Sequence, residues 1–131
     1  MPLHTFGISV LDFNKDGWMD IAVTHDAAPG LTLWRNVEGP NNVGRRFERV
    51  DLPLPDAIRG WGVTAIDIDN DGWIDLAAIV DTTAGPCVKV FRNRGDGTFE
   101  DVSKAVSYTH LSICRSTFFS PALSPTMSSK L

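Results

Sequence analysis

The sequence predicts an all-β chain: two four-stranded antiparallel β-propeller blades, a fragment of a larger propeller, followed by an irregular C-terminal tail. Three observations predict it. A nine-residue acidic loop is written twice, at 12–20 and 67–75, with starts 55 residues apart. Short apolar runs rich in β-branched residues flank both copies, and turn signals then recur in the same order after each. Four short strands per unit, repeated in series at a period of this size, form the pattern of propeller blades.

The loops come first because they carry the chemistry. One reads Asp12-Phe13-Asn14-Lys15-Asp16-Gly17-Trp18-Met19-Asp20 and the other Asp67-Ile68-Asp69-Asn70-Asp71-Gly72-Trp73-Ile74-Asp75. Oxygen-bearing side chains at positions 1, 3, 5 and 9, with a turn-permitting glycine at 6, can wrap one hard cation. Without a counter-charge they would repel one another. Calcium suits such a loop, since it accepts about 6 to 8 irregular oxygen ligands at about 2.3 to 2.6 Å, while magnesium demands a tighter octahedron and zinc prefers nitrogen and sulfur. The expected ligands are Asp12, Asn14, Asp16 and Asp20 in one loop and Asp67, Asp69, Asp71 and Asp75 in the other, each joined by the position-7 backbone carbonyl of Trp18 or Trp73. The second loop has four acids and no base, whereas the first has Asn14 in place of an acid and contains Lys15, so tighter binding is expected at the second. The plainer reading, two solvated Asp-Gly turns, is less able to explain two matching copies.

The flanks exclude an EF-hand. That motif needs helices and a glutamate at position 12, where this chain has Val23 and Ala78. The flanks read instead as strands: Ile8, Val10 and Leu11 before the first loop, Ile21, Ala22 and Val23 after it. In the second copy Val63, Ala65, Ile66 and Ile68 precede, and Leu76 to Val80 follow. Runs of this kind suit strands buried on both faces.

In chain order, a first strand is expected over about 7–13 and a second running to His25 and Asp26. Ala27-Ala28-Pro29-Gly30 makes a turn, Leu31 to Asn36 a third strand, and Gly39 to Gly44 a loop; Phe47, Val50 and Leu52 mark a fourth strand. After Pro53 and Pro55 the pattern restarts, with Gly60-Trp61-Gly62 as lead-in. Its third strand is Cys87 to Phe91, ending on Arg92-Asn93 as the earlier one ends on Arg35-Asn36. A tight Asp-Gly connection then leads to a fourth strand over Phe99–Val102. The expected units are 1–53, 54–106 and a tail, 107–131. All 16 acidic residues lie at or before Asp101, while the last 25 residues hold seven serines, three threonines and two prolines. Such a tail reads as a linker or a non-native end, and no function is assigned to it.

With 131 residues, 43% of them hydrophobic, and mean hydropathy −0.05, the chain has the bulk of one soluble domain. Its net charge of −4 resides largely in the loops, no basic stripe points to nucleic acid, and neither a signal peptide nor a membrane span is expected. Cys87 and Cys114 are too few for a disulfide framework and are read as one buried and one incidental thiol.

Taken together, the two loops, Trp34-Arg35-Asn36 with Phe47-Glu48, and the run from Phe91 to Val102 resemble the FG-GAP/VCBS family of propeller repeats over about 100 positions, 7–106. The pattern is similar to the calcium-binding blades of integrin α-subunits, and more so to bacterial secreted relatives of cartilage acidic protein. Phe6-Gly7 is present, but no Gly-Ala-Pro follows it before the first loop, and Trp61-Gly62 replaces Phe-Gly in the second copy. The resemblance implies two structural calcium ions, an extracellular, periplasmic or cell-surface parent protein, neighbouring blades, and a protein or carbohydrate ligand.

No catalytic set stands outside the loops. His4, His25 and His110 lack partners at catalytic or metal spacing, and His25 and Asp26, adjacent on a strand, point to opposite faces. Arg94-Gly95-Asp96 spells an adhesion tripeptide but falls on a hairpin turn, and the four tryptophans are expected mainly as wedges between sheets. The expectation is a non-enzymatic, calcium-binding adhesion or binding scaffold. The alternative is the non-catalytic propeller portion of a larger secreted enzyme such as a polysaccharide lyase or phospholipase; a dockerin-like module fits neither the strand-forming flanks nor the spacing of 55. Two blades would leave two apolar faces bare, so association or aggregation is expected unless neighbouring blades cover them.

Overall fold

The computed structural model describes residues 4–103. Eight strands form two four-stranded antiparallel sheets. The first sheet is β1 (Thr5–Leu11), β2 (Asp20–His25), β3 (Leu31–Glu38) and β4 (Arg45–Val50), in that spatial order. The second repeats it with β5 (Ala57–Ile66), β6 (Asp75–Thr82), β7 (Gly85–Asn93) and β8 (Phe99–Asp101). Expectations for 107–131 and for Cys114 and His110 lie outside the described residues.

Each strand meets its sequential neighbour, as up-and-down blades require. Val10 pairs with Ile21, Ile21 with Trp34 and Trp34 with Arg49. In the second sheet Ala65 pairs with Leu76 and Leu76 with Phe91. The two registers superpose, at a spacing of 55 residues through the first two strands (Ile21 and Leu76) and 57 in the third (Trp34 and Phe91). Strand ends shift by a few residues from expectation in most strands, and two of the shifts bear on the loops and the seam. The first strand stops at Leu11 because Asp12 already begins the loop, and β5 starts at Ala57, so that Gly60-Trp61-Gly62, read as a lead-in, lies inside the strand across an irregularity in the pairing.

The sheets stack face to face. One core cluster contains Leu11, Phe13, Ala22, Leu31 and Leu33 from the first unit and Leu76, Val80, Phe91 and Phe99 from the second. β5 packs along β1 and β2, and the Phe6 and Trp61 rings stack across that seam at 5.0 Å. The approach is close enough that a side chain on Gly60 would collide with the Gly30 carbonyl, so the backbone sets the spacing there.

The expectation of strands buried on both faces is corrected. Ile8 and Val10 are 61% and 57% exposed, and Ile66 and Ile79 about half exposed. Each sheet is covered on the face turned to the other sheet, and the opposite faces keep exposed apolar side chains, although Val90 there is buried. The tryptophans are corrected in part. Trp61 bridges the two sheets, but Trp18 lies half exposed under Arg45, and Trp34 donates from Nε1 to Thr32 Oγ1. Cys87 is buried as expected but is not a free thiol.

Candidate metal centre: two acidic loops

Both loops fold by the same local bonds. In the first, Asp12 Oδ1 and Oδ2 accept from the amides of Asp16 (3.1 Å) and Gly17 (2.8 Å), and Asp16 Oδ1 accepts from Trp18 N–H (2.9 Å). In the second, Asp67 accepts from Asp71 and Gly72 at the same distances, and Asp71 from Trp73. The chain enters the left-handed region at position 4 (Lys15 φ 59°, Asn70 φ 60°) and again at the glycine (Gly17 φ 88°, Gly72 φ 90°). That double reversal is what turns alternate side chains toward one centre, and glycine supplies its second half without steric cost.

Position 9 anchors each loop to its sheet. Asp20 and Asp75 are fully buried. Asp20 accepts from the amides of Phe13 (3.1 Å) and Asn36 (2.8 Å), and Asp75 from those of Ile68 (2.9 Å) and Asn93 (2.7 Å). Burial pushes both carboxyls above the ordinary range despite these amides, and the neighbouring loop carboxylates push the same way. Buried, mutually repelling acids of this kind call for a cation.

The second loop brings its four predicted carboxylate ligands together. One ligand oxygen from each of Asp67, Asp69, Asp71 and Asp75 lies within 4.8 Å of the others, and among the described residues this is the group of carboxylates drawn that close. The first loop has Asn14 at the place of Asp69. Its Oδ1 is buried and accepts no hydrogen bond from the protein, an orphaned acceptor on the ligand list. Both donor sets, all oxygen, fit a hard cation.

The distribution of basic residues departs from expectation. Lys15 does not lie within its own loop: Nζ sits 4.2 Å from the Trp73 ring centroid, next to the second loop. The second loop, read as having no base, receives Arg92 from β7. Nε meets Asp69 Oδ2 at 2.8 Å and a terminal nitrogen reaches Asp71 Oδ2 at 3.5 Å. That contact holds the Asp69 carboxyl below its usual range and raises Arg92. The equivalent Arg35 turns instead to Glu48 at 3.0 Å.

Sequence reasoning also missed the role of the asparagine after each arginine. Asn93, 1% exposed, donates from Nδ2 to the carbonyls of Phe13 (2.8 Å) and Ile74 (3.0 Å), tying the first loop to the second sheet across 80 residues. Asn36 donates to Met19 O and accepts from Arg45 Nε. The repeated Arg-Asn dipeptide was the available signal, read only as a strand end. An open cleft of about 360 Å³ beside the first loop is lined in part by Asn14, Asp16, Trp18, Asn36 and Arg45.

This repeated loop, set between the first two strands of each blade, is matched by the model of the FG-GAP-like repeat over residues 12–78, just over half the chain. The chain belongs to the FG-GAP-like repeat family. The matched span runs from the first residue of one loop to the strand that follows the other, and so covers both FG-GAP-like loops. No curated protein and no solved structure matches the chain.

The remaining candidates fall outside this centre. His25 and Asp26 form no dyad. His25 Nε2 bonds Thr32 Oγ1 at 2.8 Å, while Asp26 Oδ2 meets His4 Nδ1 at 2.8 Å, giving His4 a partner that the sequence did not suggest. Arg94-Gly95-Asp96 lies in the β7–β8 hairpin, closed by Arg94 N–H to Thr98 O and by Asp96 Oδ1 accepting from Thr98. Among the described residues no helix is long and apolar enough to cross a membrane.

Proposed function

We propose that this FG-GAP-like segment binds two calcium ions, one per loop, and works as a non-enzymatic, extracellular or periplasmic binding or adhesion scaffold of the kind found in VCBS-type relatives of cartilage acidic protein. The observation that carries the reading is the convergence of four carboxylates at the second loop. The orphaned Asn14 Oδ1 supports it at the first. The chain contributes Asp12, Asn14, Asp16, Asp20 and the Trp18 carbonyl to one site, and Asp67, Asp69, Asp71, Asp75 and the Trp73 carbonyl to the other. When bound, calcium supplies the positive charge that offsets repulsion among these acids. Asp20 and Asp75 hold the loops to β3 and β7, so the ion-binding turns brace the blade edges, and any protein or carbohydrate ligand is met by this rigid rim. Residues 1–53 and 54–106 are the corresponding repeat units.

The test is isothermal titration of the full chain with calcium. Two sites are expected, the tighter at the second loop, and Asp16→Ala and Asp71→Ala each remove one, with the larger loss of affinity for Asp71→Ala. Unchanged stoichiometry in both variants would sink the reading. An ion that binds only the folded form stabilises it by about 2.7 kcal/mol at a hundredfold excess over Kd, so chelation is expected to lower Tm, and magnesium to restore it poorly.

A further inference from the structure

The two acidic loops are joined across the seam between the sheets. Asn93 Nδ2 donates to Phe13 O in the first loop at 2.8 Å and to Ile74 O in the second at 3.0 Å, so one amide group holds the backbone of both. Phe13 follows Asp12 and Ile74 follows Trp73, which places each accepting carbonyl one residue beyond an expected ligand. Asn93 is itself fixed on both sides. Its backbone N–H donates to Asp75 Oδ1 at 2.7 Å, and its Oδ1 accepts from Gly95 N–H at 2.9 Å. The bridge therefore runs from Asp75, an expected ligand of the second loop, through one buried residue to the backbone beside Asp12 in the first.

A second contact joins the same loops. Lys15, at position 4 of the first, reaches over the Trp73 ring of the second, and a Cβ on Gly72 would lie 3.5 Å from its Nζ. Lys15 has the left-handed backbone that the first loop's turn requires (φ 59°), so its reach is set by how that loop folds. Trp73 is enclosed on a further side, where a side chain on Gly95 would collide with the indole. The Phe13 ring, 2% exposed, packs on Phe99 at 5.7 Å, so position 2 of the first loop cannot shift without disturbing the second sheet.

We propose that the two loops fill cooperatively, with Asn93 and Lys15 as the positioning residues that couple them. The inference rests on the reading that each loop binds one calcium ion. A loop closed around a cation loses backbone freedom, and a second loop tied to one already ordered has less left to lose. Repulsion between the filled loops opposes this only weakly, because three carboxylates in the first and four in the second offset the ionic charge and salt screens the remainder. The coupling is reciprocal, so filling either loop tightens the other by the same factor.

Calcium titration calorimetry of the full chain tests this, in about 0.15 M salt, where exposed charges are screened over about 8 Å. The unsubstituted chain gives the constant for loading both ions, and Asp16→Ala and Asp71→Ala give the two single-site constants. The overall constant is expected to exceed the product of the single-site constants by about fivefold or more. With the same three measurements made on an Asn93→Ala background, that ratio is expected to fall to about one. Lys15→Asn places at position 4 the residue that the second loop has there, Asn70, and keeps the left-handed turn. It is expected to lower the ratio at least about twofold, and it carries the test alone should Asn93→Ala lose its strand signal in circular dichroism. A purely structural Asn93 would weaken every constant and leave the ratio unchanged, which overturns the proposal, as does an unchanged ratio in Lys15→Asn. Two ions bound with a ratio of one in the unsubstituted chain overturn the coupling alone, whereas fewer than two ions overturn the two-site reading and the coupling with it.

Discussion

The two loops share a backbone and differ in their surroundings. Asp12 and Asp67 accept the same pair of amides at the same distances, and Asp20 and Asp75 are buried by the same two-amide grip. Yet the second loop holds four converging carboxylates with Arg92 against two of them, while the first has an orphaned amide oxygen, and its own lysine lies over the other loop's tryptophan. The comparison teaches that the nine-residue motif dictates the turn, whereas the charge at its centre is adjusted by residues from the third strand and from the neighbouring blade. The asparagines make the same point. Asn93 is buried because the first blade lies over it, and Asn36 remains at an open end of the stack.

That difference can be broken most sharply at the asparagines. Asn93→Ala strips the buried Phe13 carbonyl and the half-buried Ile74 carbonyl of their donor and leaves the Gly95 amide, which donates to Asn93 Oδ1 at 2.9 Å, without its partner. Orphaned buried groups cost about 1–3 kcal/mol each where water cannot replace the bond. The expected destabilisation in urea unfolding is about 2–4 kcal/mol, against less than about 1 kcal/mol for the more exposed Asn36→Ala. Equal losses would show that the blade contact does not distinguish them.

The charge difference is next in size. Asn14→Asp gives the first loop a fourth carboxylate and is expected to tighten its calcium affinity by about tenfold, since ligand charge count tunes such sites. Arg92→Gln frees Asp69 and Asp71 from their counter-charge. An exposed charge beside the loop is screened by solvent and only weakly coupled to it, so a modest affinity gain, on the order of a few-fold, is expected at the second loop in titration calorimetry. A loss of affinity would instead assign Arg92 to holding the carboxylates in place.

The smallest expected effect is a pH dependence carried by the first blade, at a position where the second has Val80. Burial pushes the His25 imidazole below its ordinary 6.5, with Arg49 adding to the shift. The unfolded chain therefore binds the proton more readily, so His25 leaves the fold at full stability above about pH 6.5 and reduces it as pH falls from there toward the lowered value. Thermal unfolding between pH 7.5 and 5.5 is expected to show this decline, and His25→Gln to flatten it.

Much of this molecule was legible from residue order alone. Asp, Asn and Gly at fixed positions dictate the loop because their bonds run to amides a few residues away, and short apolar runs rich in β-branched residues, bounded by turn residues, mark the strands because such side chains fit a pleated surface. That local physics gave the fold class, the eight strands and the four carboxylates that converge at the second loop. Other features depend on contacts between positions far apart in the chain. Which face of each sheet is covered, where Lys15 and Arg92 place their charge, what Asn93 holds and that His4 meets Asp26 were decided only when the two sheets and their edges came together. Ile21 and Leu76 are equivalent in sequence and register, and only stacking makes one half-buried and the other fully buried. Burial is a property of what lies across from a residue, and a repeated sequence does not say which copy has a neighbour.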